Sequence, residues 1–277
     1  LLVLLDLEQP RVARFANAGL RAHLAPAANF FERLELEVRA AERDLEKTFP
    51  GRFGHAKIDP RAISFLNQFR KLDRTTAQDA APASSDHDFF SGDEPVWSDI
   101  VSDKPAALSI VHEVASQTMA DLDSEAATIR LISGPSGSGK TTALLSVGNH
   151  LRIAGNSVFL FRGEEAPDAK AVLWWLAQSG RTILLVDDFG DFAPHFSTLL
   201  AEANEQKVRL HILGAERSTR DQSISQSFSV AQLPESRKHT LDRLTDDDIR
   251  RFLDVLQRKF RLGLITRWPS EQQFDFI

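Results

Sequence analysis

Short apolar runs recur along the second half of this chain: Thr128-Ile129-Arg130-Leu131-Ile132, Ser157-Val158-Phe159-Leu160-Phe161, Thr182-Ile183-Leu184-Leu185-Val186 and Val208 to Leu213. Nearly continuous rather than alternating, they read as strands buried on both faces. The segments between them change period. Thr142–Leu151, Asp168–Gln178 and Phe196–Gln206 place apolar residues at helical spacing, and Gly155-Asn156 and Gly180 supply stops. Strands alternating with helices predict a parallel sheet covered on both sides. Right-handed crossovers then give a doubly wound α/β core over residues 89–230.

The flanks have a different texture. Residues 1–72 predict a small, mostly helical N-terminal region, with Leu1–Leu7 a buried strand and Arg11–Leu20 a short helix. A longer helix from Asn29 to Phe49 carries one stripe, Phe31, Leu34, Val38, Ala41 and Leu45, and ends at Pro50-Gly51. Residues 73–88 are small, polar and aperiodic, a linker. Residues 231–277 predict a helical lid. Thr245 caps a helix with Asp248 at its third position, and Ile249, Phe252, Leu253, Leu256 and Phe260 mark one face before Gly263.

Composition narrows the chemistry. Of 277 residues, 39 are acidic and 33 basic, a net charge of −6, which does not indicate nucleic acid or an anionic membrane as partner. The absence of cysteine excludes disulfides, thiolate catalysis and Cys-based zinc sites. The eight histidines are scattered, without metal-ligand spacing. No apolar run approaches the length of a membrane span, so no membrane partner and a cytoplasmic location are expected. A chain that starts without Met and stops soon after a helix reads as a piece of a longer protein.

The strongest motif is Gly134-Pro135-Ser136-Gly137-Ser138-Gly139-Lys140-Thr141, the pattern G-x-x-x-x-G-K-[ST]. It follows a strand and opens a helix, the context the motif requires. Small residues let successive backbone N–H groups turn inward on a phosphate chain, and the helix adds its positive end. Gly134, Ser136, Gly137, Ser138, Gly139, Lys140, Thr141 and Thr142 are therefore the expected nucleotide-binding residues. Lys140 reaches the β- and γ-phosphates, and the Thr141 hydroxyl binds Mg²⁺.

The strand ending at Val186 runs into Asp187-Asp188. The first carboxylate shares the Mg²⁺ with Thr141, and the second stands where a base orients attacking water. Asp is one methylene shorter than the Glu often found there, so slow hydrolysis is expected. The stretch from Lys140 to Asp187 leaves room for a helix, an inserted strand and a second helix, the additional-strand plan of ATPases. At the tip of the run ending in Leu213, Gly214-Ala215-Glu216-Arg217 offers Arg217 as the guanidinium facing the γ-phosphate, with Arg220 as runner-up.

With these residues in view, the chain resembles the STAND class of signal-transduction P-loop ATPases, relatives of the AAA+ ATPases. The resemblance covers about residues 89–265. It rests on Phe89-Phe90-Ser91-Gly92-Asp93-Glu94 as the aromatic-glycine-acid approach motif near the base, on the two Walker motifs, on Ile212–Arg217, and on Leu241–Ile249 as the start of the lid. The approach motif lacks the usual Arg after Gly92. The resemblance implies a P-loop NTPase core of additional-strand type with a C-terminal helical lid, taking ATP or ADP with Mg²⁺. It also implies self-association through the NTPase module, an upstream effector whose tail would be residues 1–72, a downstream sensor, and a role in antiviral defence. The competing expectations are an AAA+-like motor or replication initiator acting on nucleic acid or protein, and a non-catalytic nucleotide-binding scaffold.

Overall fold

A computed structural model describes residues 48–51, 54–57, 59–73, 87–123 and 126–259. The expected elements Leu1–Leu7 and Arg11–Leu20, most of the Asn29–Phe49 helix, most of the linker, Phe260 and Gly263 lie outside these residues. The chain divides into two compact units, 1–63 and 64–277.

The first unit contributes an antiparallel hairpin, β1 (Thr48–Gly51) with β2 (Gly54–Lys57), paired from Thr48↔Lys57 to Gly51↔Gly54. Thr48 and Phe49 are thus strand, not the end of a helix. Thr and Phe favour the pleated surface, and the Pro50-Gly51 pair read as a helix stop belongs to the hairpin instead. Helix α1 (Pro60–Gln68) crosses the boundary between the units, with Pro60 at its first position, where a missing N–H costs nothing.

The second unit is built on a six-stranded sheet. Its strands are β3 (Phe69–Lys71), β4 (Thr128–Gly134), β5 (Ser157–Phe161), β6 (Thr182–Val186), β7 (His211–Arg217) and β8 (Lys238–Thr240), in the order β3-β5-β6-β7-β4-β8. All neighbours are parallel except β3, which runs antiparallel to β5 at the edge. β3 lies within the stretch assigned from sequence to the N-terminal region. Its segment is tied to the core by Ser64 Oγ donating to Asp168 Oδ2 (2.8 Å) and Asp168 N–H donating to Gln68 Oε1 (2.8 Å). Three residues are too few to show a strand period. β7 begins later and runs further than the Val208–Leu213 run suggested, because Gly214, Ala215 and Glu216 continue the ladder against β4.

Helices cover both faces. On one side lie α2 (Trp97–Val101), α3 (Ser109–Asp121) and α4 (Lys140–Ile153), sharing a core with Ile132, Ile183, Leu185 and Leu213. On the other lie α5 (Ala169–Gln178), α6 (Ala193–Glu205) and α7 (Asp221–Ser227), around Leu131, Leu184, Val186 and Ile212. Successive strand residues fall in opposite cores, the signature of a sheet buried on both faces. An aromatic stack fills the β3 edge: Phe65 lies 4.7 Å from Phe69 and 4.6 Å from Trp175. Within β4, the guanidinium of buried Arg130 is met by Asp121 Oδ2 at 2.7 Å and Gln117 Oε1 at 2.6 Å, which makes its burial tolerable.

The strand that separates β4 from β6 in the sheet is β7, which follows both in sequence. β5, which intervenes in sequence, lies on the far side of β6. The sheet is therefore of the additional-strand type, with the insertion made by a strand that the spacing between the two motifs does not count.

The C-terminal helix α8 (Asp246–Lys259) begins with a reciprocal cap: Thr245 Oγ1 donates to Asp248 Oδ2 (2.8 Å) and Asp248 N–H donates to Thr245 Oγ1 (3.2 Å). Asp248 is 4% exposed, and its Oδ1 and Oδ2 also accept from Ser109 N–H (2.6 Å) and Ser109 Oγ (2.8 Å) at the start of α3. Burial works against the charge, but these bonds outweigh it and hold the carboxyl below its ordinary value. Arg251 adds a bond to Ala107 O (2.7 Å), and Lys259 Nζ lies 5.4 Å above the Phe90 ring.

Candidate nucleotide site

The parallel strands β4, β6 and β7 end on one edge of the sheet, and the loops that leave them converge there. Register sets the level of each tip. Val186 pairs with Gly214, so Asp187 follows level with Ala215, whereas Gly134 pairs with Arg217. β7 thus carries Arg217 up to the height of the first glycine of the phosphate loop.

The loop from Gly134 to Lys140 joins β4 to α4. Gly137 (φ 78°) and Gly139 (φ 85°) take left-handed backbone that other residues adopt only under strain, which lets the loop turn inward. A Cβ on Gly134 would strike the Leu241 carbonyl oxygen and lie 2.7 Å from Ser138 Oγ. Ser138 Oγ is buried and has no hydrogen-bond partner among the described residues. An orphaned hydroxyl inside a glycine-lined turn suits a phosphate oxygen. Lys140 Nζ folds back over the loop to Pro135 O at 2.6 Å. Ser136 is exposed on the loop, and Thr141 and Thr142 open α4 half-buried.

Across from the loop, Asp187 lines one cavity with Thr141, whose hydroxyl is near enough to favour the charged carboxylate. Burial pushes Asp187 above the ordinary carboxylate range; the nearby Thr141 hydroxyl and the bond from Asp188 N–H pull the other way, and Asp188 and Glu94 add repulsion. No basic side chain among the described residues pairs with it. A desolvated carboxylate beside a hydroxyl and lacking a cation fits Mg²⁺, which takes few protein ligands and keeps phosphate and water for the rest. Among the described residues no cluster of three or more His, Asp or Glu could hold a metal alone.

Asp188 is exposed, with φ at 46°, a conformation Asp tolerates better than most residues. It lines a cleft of about 180 Å³ together with Asp191, Glu216, Arg217 and Arg220. The guanidinium of Arg220 is already committed to Asp191 Oδ1 (2.7 Å) and Glu216 Oε2 (3.3 Å). That of exposed Arg217 has no partner among the described residues.

Phe89–Ser91 form a single 3₁₀ turn capped by Asp88, whose side chain accepts from Phe90 N–H (3.1 Å) and Ser91 Oγ (2.8 Å). His87 and Asp88, expected at the end of the linker, are built into this segment, His87 through Asp99 at 2.9 Å. Glu94 lines a cavity of about 630 Å³ with Thr141, Asp187, Trp97, Arg70 and Arg162. Trp97 is 4% exposed and donates from its ring N–H to Asp73 O (2.8 Å), a packing role. Sequence reasoning placed Glu94 in the approach motif and Glu216 beside Arg217, but gave neither a part in the site: Glu94 as a neighbour of Asp187, and Glu216 as the partner of Gly190 N–H. The readable signal for the second was a carboxylate in the last turn of a strand that already contained Gly214, a mark of close approach.

Comparison with known proteins agrees with the residues. The family described as novel STAND NTPase 5 matches residues 87–229, more than half of the chain and the span that contains Gly134–Thr141 and Asp187-Asp188. The chain belongs to this family. As a STAND NTPase it is a nucleotide-binding NTPase module. Among solved structures it is similar to a chain of the Saccharomyces cerevisiae Hsp104:casein complex (13% identity over 71% of this chain and 33% of that one, TM-score 0.45). It is also similar to a chain of the Escherichia coli MS115-1 HORMA:CdnC:Trip13 complex (14%, 62% and 74%, 0.42) and to Aeropyrum pernix ORC2 in ADPNP and ADP complexes (14%, 56% and 54%, 0.39). The STAND NTPase thus spans about a third of the length of the Hsp104 chain and about half of that of ORC2. No curated protein matches it. No helix among its described residues is long and apolar enough to cross a membrane.

Proposed function

We propose that this STAND NTPase is an ATP-binding, slowly hydrolysing regulatory switch, and that its nucleotide state controls self-association and the activity of an effector in the same signalling or defence protein. The observation that carries the reading is the placing of Thr141 and Asp187 in the lining of one cavity, beside the loop that holds the orphaned Ser138 hydroxyl. It brings a phosphate cradle and a magnesium-competent carboxylate into one site.

Within that site the residues divide the work. Backbone N–H groups of Gly137 to Lys140 and the Ser138 hydroxyl donate to the phosphate oxygens. Lys140 exchanges the Pro135 carbonyl for phosphate oxygens. Thr141 and Asp187 hold Mg²⁺, which when bound neutralises phosphate charge and polarises the transferred group. Asp188 orients water, and Arg217, uncommitted and level with Gly134, meets the γ-phosphate. The lid is clipped to α3 through Asp248 and to the loop before α3 through Arg251. Leu241, at the lid's start, sits against Gly134. A ligand in the loop therefore acts on the chain that leads into the lid, the two-packing element a switch needs.

The test is sizing of the protein with Mg-ATP and with Mg-ADP, alongside turnover. A switch assembles with ATP, disassembles with ADP and hydrolyses well below ten per second. Asp188→Ala keeps ATP bound and favours the assembled form. Brisk turnover with ATP-driven assembly would favour the motor reading. Neither turnover nor assembly would leave a scaffold.

A further inference from the structure

The loop that carries Asp188 is pinned at three successive positions. Phe189, fully buried, lays its ring on β7 at Gly214, where a Cβ would come within 2.8 Å of it. Gly190 N–H donates to Glu216 Oε2 at 2.6 Å. Asp191 accepts from Arg220 at 2.7 Å. Glu216 is the centre of this arrangement. It is 1% exposed, its other oxygen accepts the N–H of Arg217 at 2.7 Å, and Arg220 braces it at 3.3 Å. One carboxylate therefore clamps the backbone of the water-orienting loop to the backbone of the residue that faces the γ-phosphate.

We propose that Glu216 is a positioning residue for hydrolysis, fixing Asp188 and Arg217 relative to each other across the cleft they line. The inference rests on the hydrolytic reading above and adds a residue that touches neither nucleotide nor water. Both oxygens accept from backbone N–H groups, and only a carboxylate can do so at both ends. A carboxamide turns one end into a donor facing a donor. The geometry also supplies an independent way to break the clamp. A Cβ on Gly190 would come within 2.5 Å of Glu216 Oε2 and within 3.2–3.3 Å of the Arg220 side chain. These atoms are ends of flexible side chains, so Gly190→Ala is relieved by swinging the clamp away rather than by moving the core.

The experiment compares wild type, Glu216→Gln, Gly190→Ala and the double variant for kcat, ATP affinity and melting temperature, with hydrogen exchange over residues 187–191. Each single variant is expected to lose tenfold or more in kcat, to bind Mg-ATP within twofold of wild type, and to expose the Gly190 amide to exchange. The double variant should be no slower than the slower single one. Unchanged kcat in Glu216→Gln, or losses that multiply in the double variant, would overturn the assignment. Should Glu216→Gln fail to fold, Gly190→Ala with its exchange pattern decides alone. A wild-type protein that binds ATP without turning it over would instead overturn the hydrolytic reading itself, an outcome the control distinguishes.

Discussion

Replacing Gly134 by Ala tests the coupling between the phosphate loop and the lid. The added methyl group meets the Leu241 carbonyl oxygen closer than a carbon–oxygen contact allows, and Ser138 Oγ at 2.7 Å. Neither neighbour yields cheaply. Leu241 N–H is held by Ser133 O at 2.7 Å, directly after the β4–β8 pair Ser133↔Thr240, and Ser138 is enclosed in the loop. Overpacking of this kind costs roughly 1–3 kcal/mol, and loss of the Leu241 bond about 1 more. A total of about 2–4 kcal/mol lowers the melting temperature of a unit this size by roughly 4–16 °C. Thermal unfolding with and without Mg-ATP reads both halves of the argument, with Lys140→Ala as comparator. Lys140 bonds only to Pro135 O among the described residues, so Lys140→Ala should melt with the wild type in the absence of nucleotide and gain nothing from it. Gly134→Ala should melt early and also lose most of the nucleotide gain, which for wild type is about 2.7 kcal/mol at a hundredfold excess over Kd. An alanine variant that melts with wild type and binds ATP normally would refute the claimed contact between loop and lid.

Arg217→Ala should weaken ATP about tenfold while sparing ADP, the loss of one charge-assisted contact, whereas Arg220→Ala should leave the ATP/ADP preference unchanged; titration calorimetry with both nucleotides checks this. His211, buried and accepting or donating at Thr128 Oγ1 (2.8 Å), has its pKa lowered from 6.5 to about 4 by burial. The folded state keeps it neutral while the unfolded chain takes a proton, so stability is complete above pH 6.5 and falls by roughly 3 kcal/mol as pH drops to about 4; in denaturant titrations, His211→Gln should flatten that slope. Asp121→Ala strands the buried Arg130 guanidinium and should cost on the order of 3 kcal/mol, and adding Arg130→Met should restore much of it; unfolding curves of the single and double variants measure the difference.

How much of this was legible in the sequence follows from which interactions are local. The loop Gly134–Thr141 and the strand ends at Asp187 and Arg217 could be read because each motif is contiguous and its backbone demands are met by its own residues. The strands β4, β5 and β6 were legible because both faces are buried and the apolar run is unbroken. What escaped depends on partners distant in sequence. β3 is a strand because β5 offers it an edge, not because Phe69-Arg70-Lys71 carries a period. Thr48-Phe49 pairs with Ala56-Lys57, a partner no helical count can supply. The extension of β7 through Gly214 hid the clamp, since a glycine and a glutamate inside a strand look like its end until Phe189 and Gly190 are seen to occupy the space they leave. Glu94 makes the same point for charge. In sequence it closes an approach motif; in space it stands near Asp187 and helps raise the carboxylate that a magnesium ion would relieve. Burial in the folded chain thus does most to set the electrostatics of Asp187, a charge far off in sequence adds to it, and the contiguous loop sets the shape of the site.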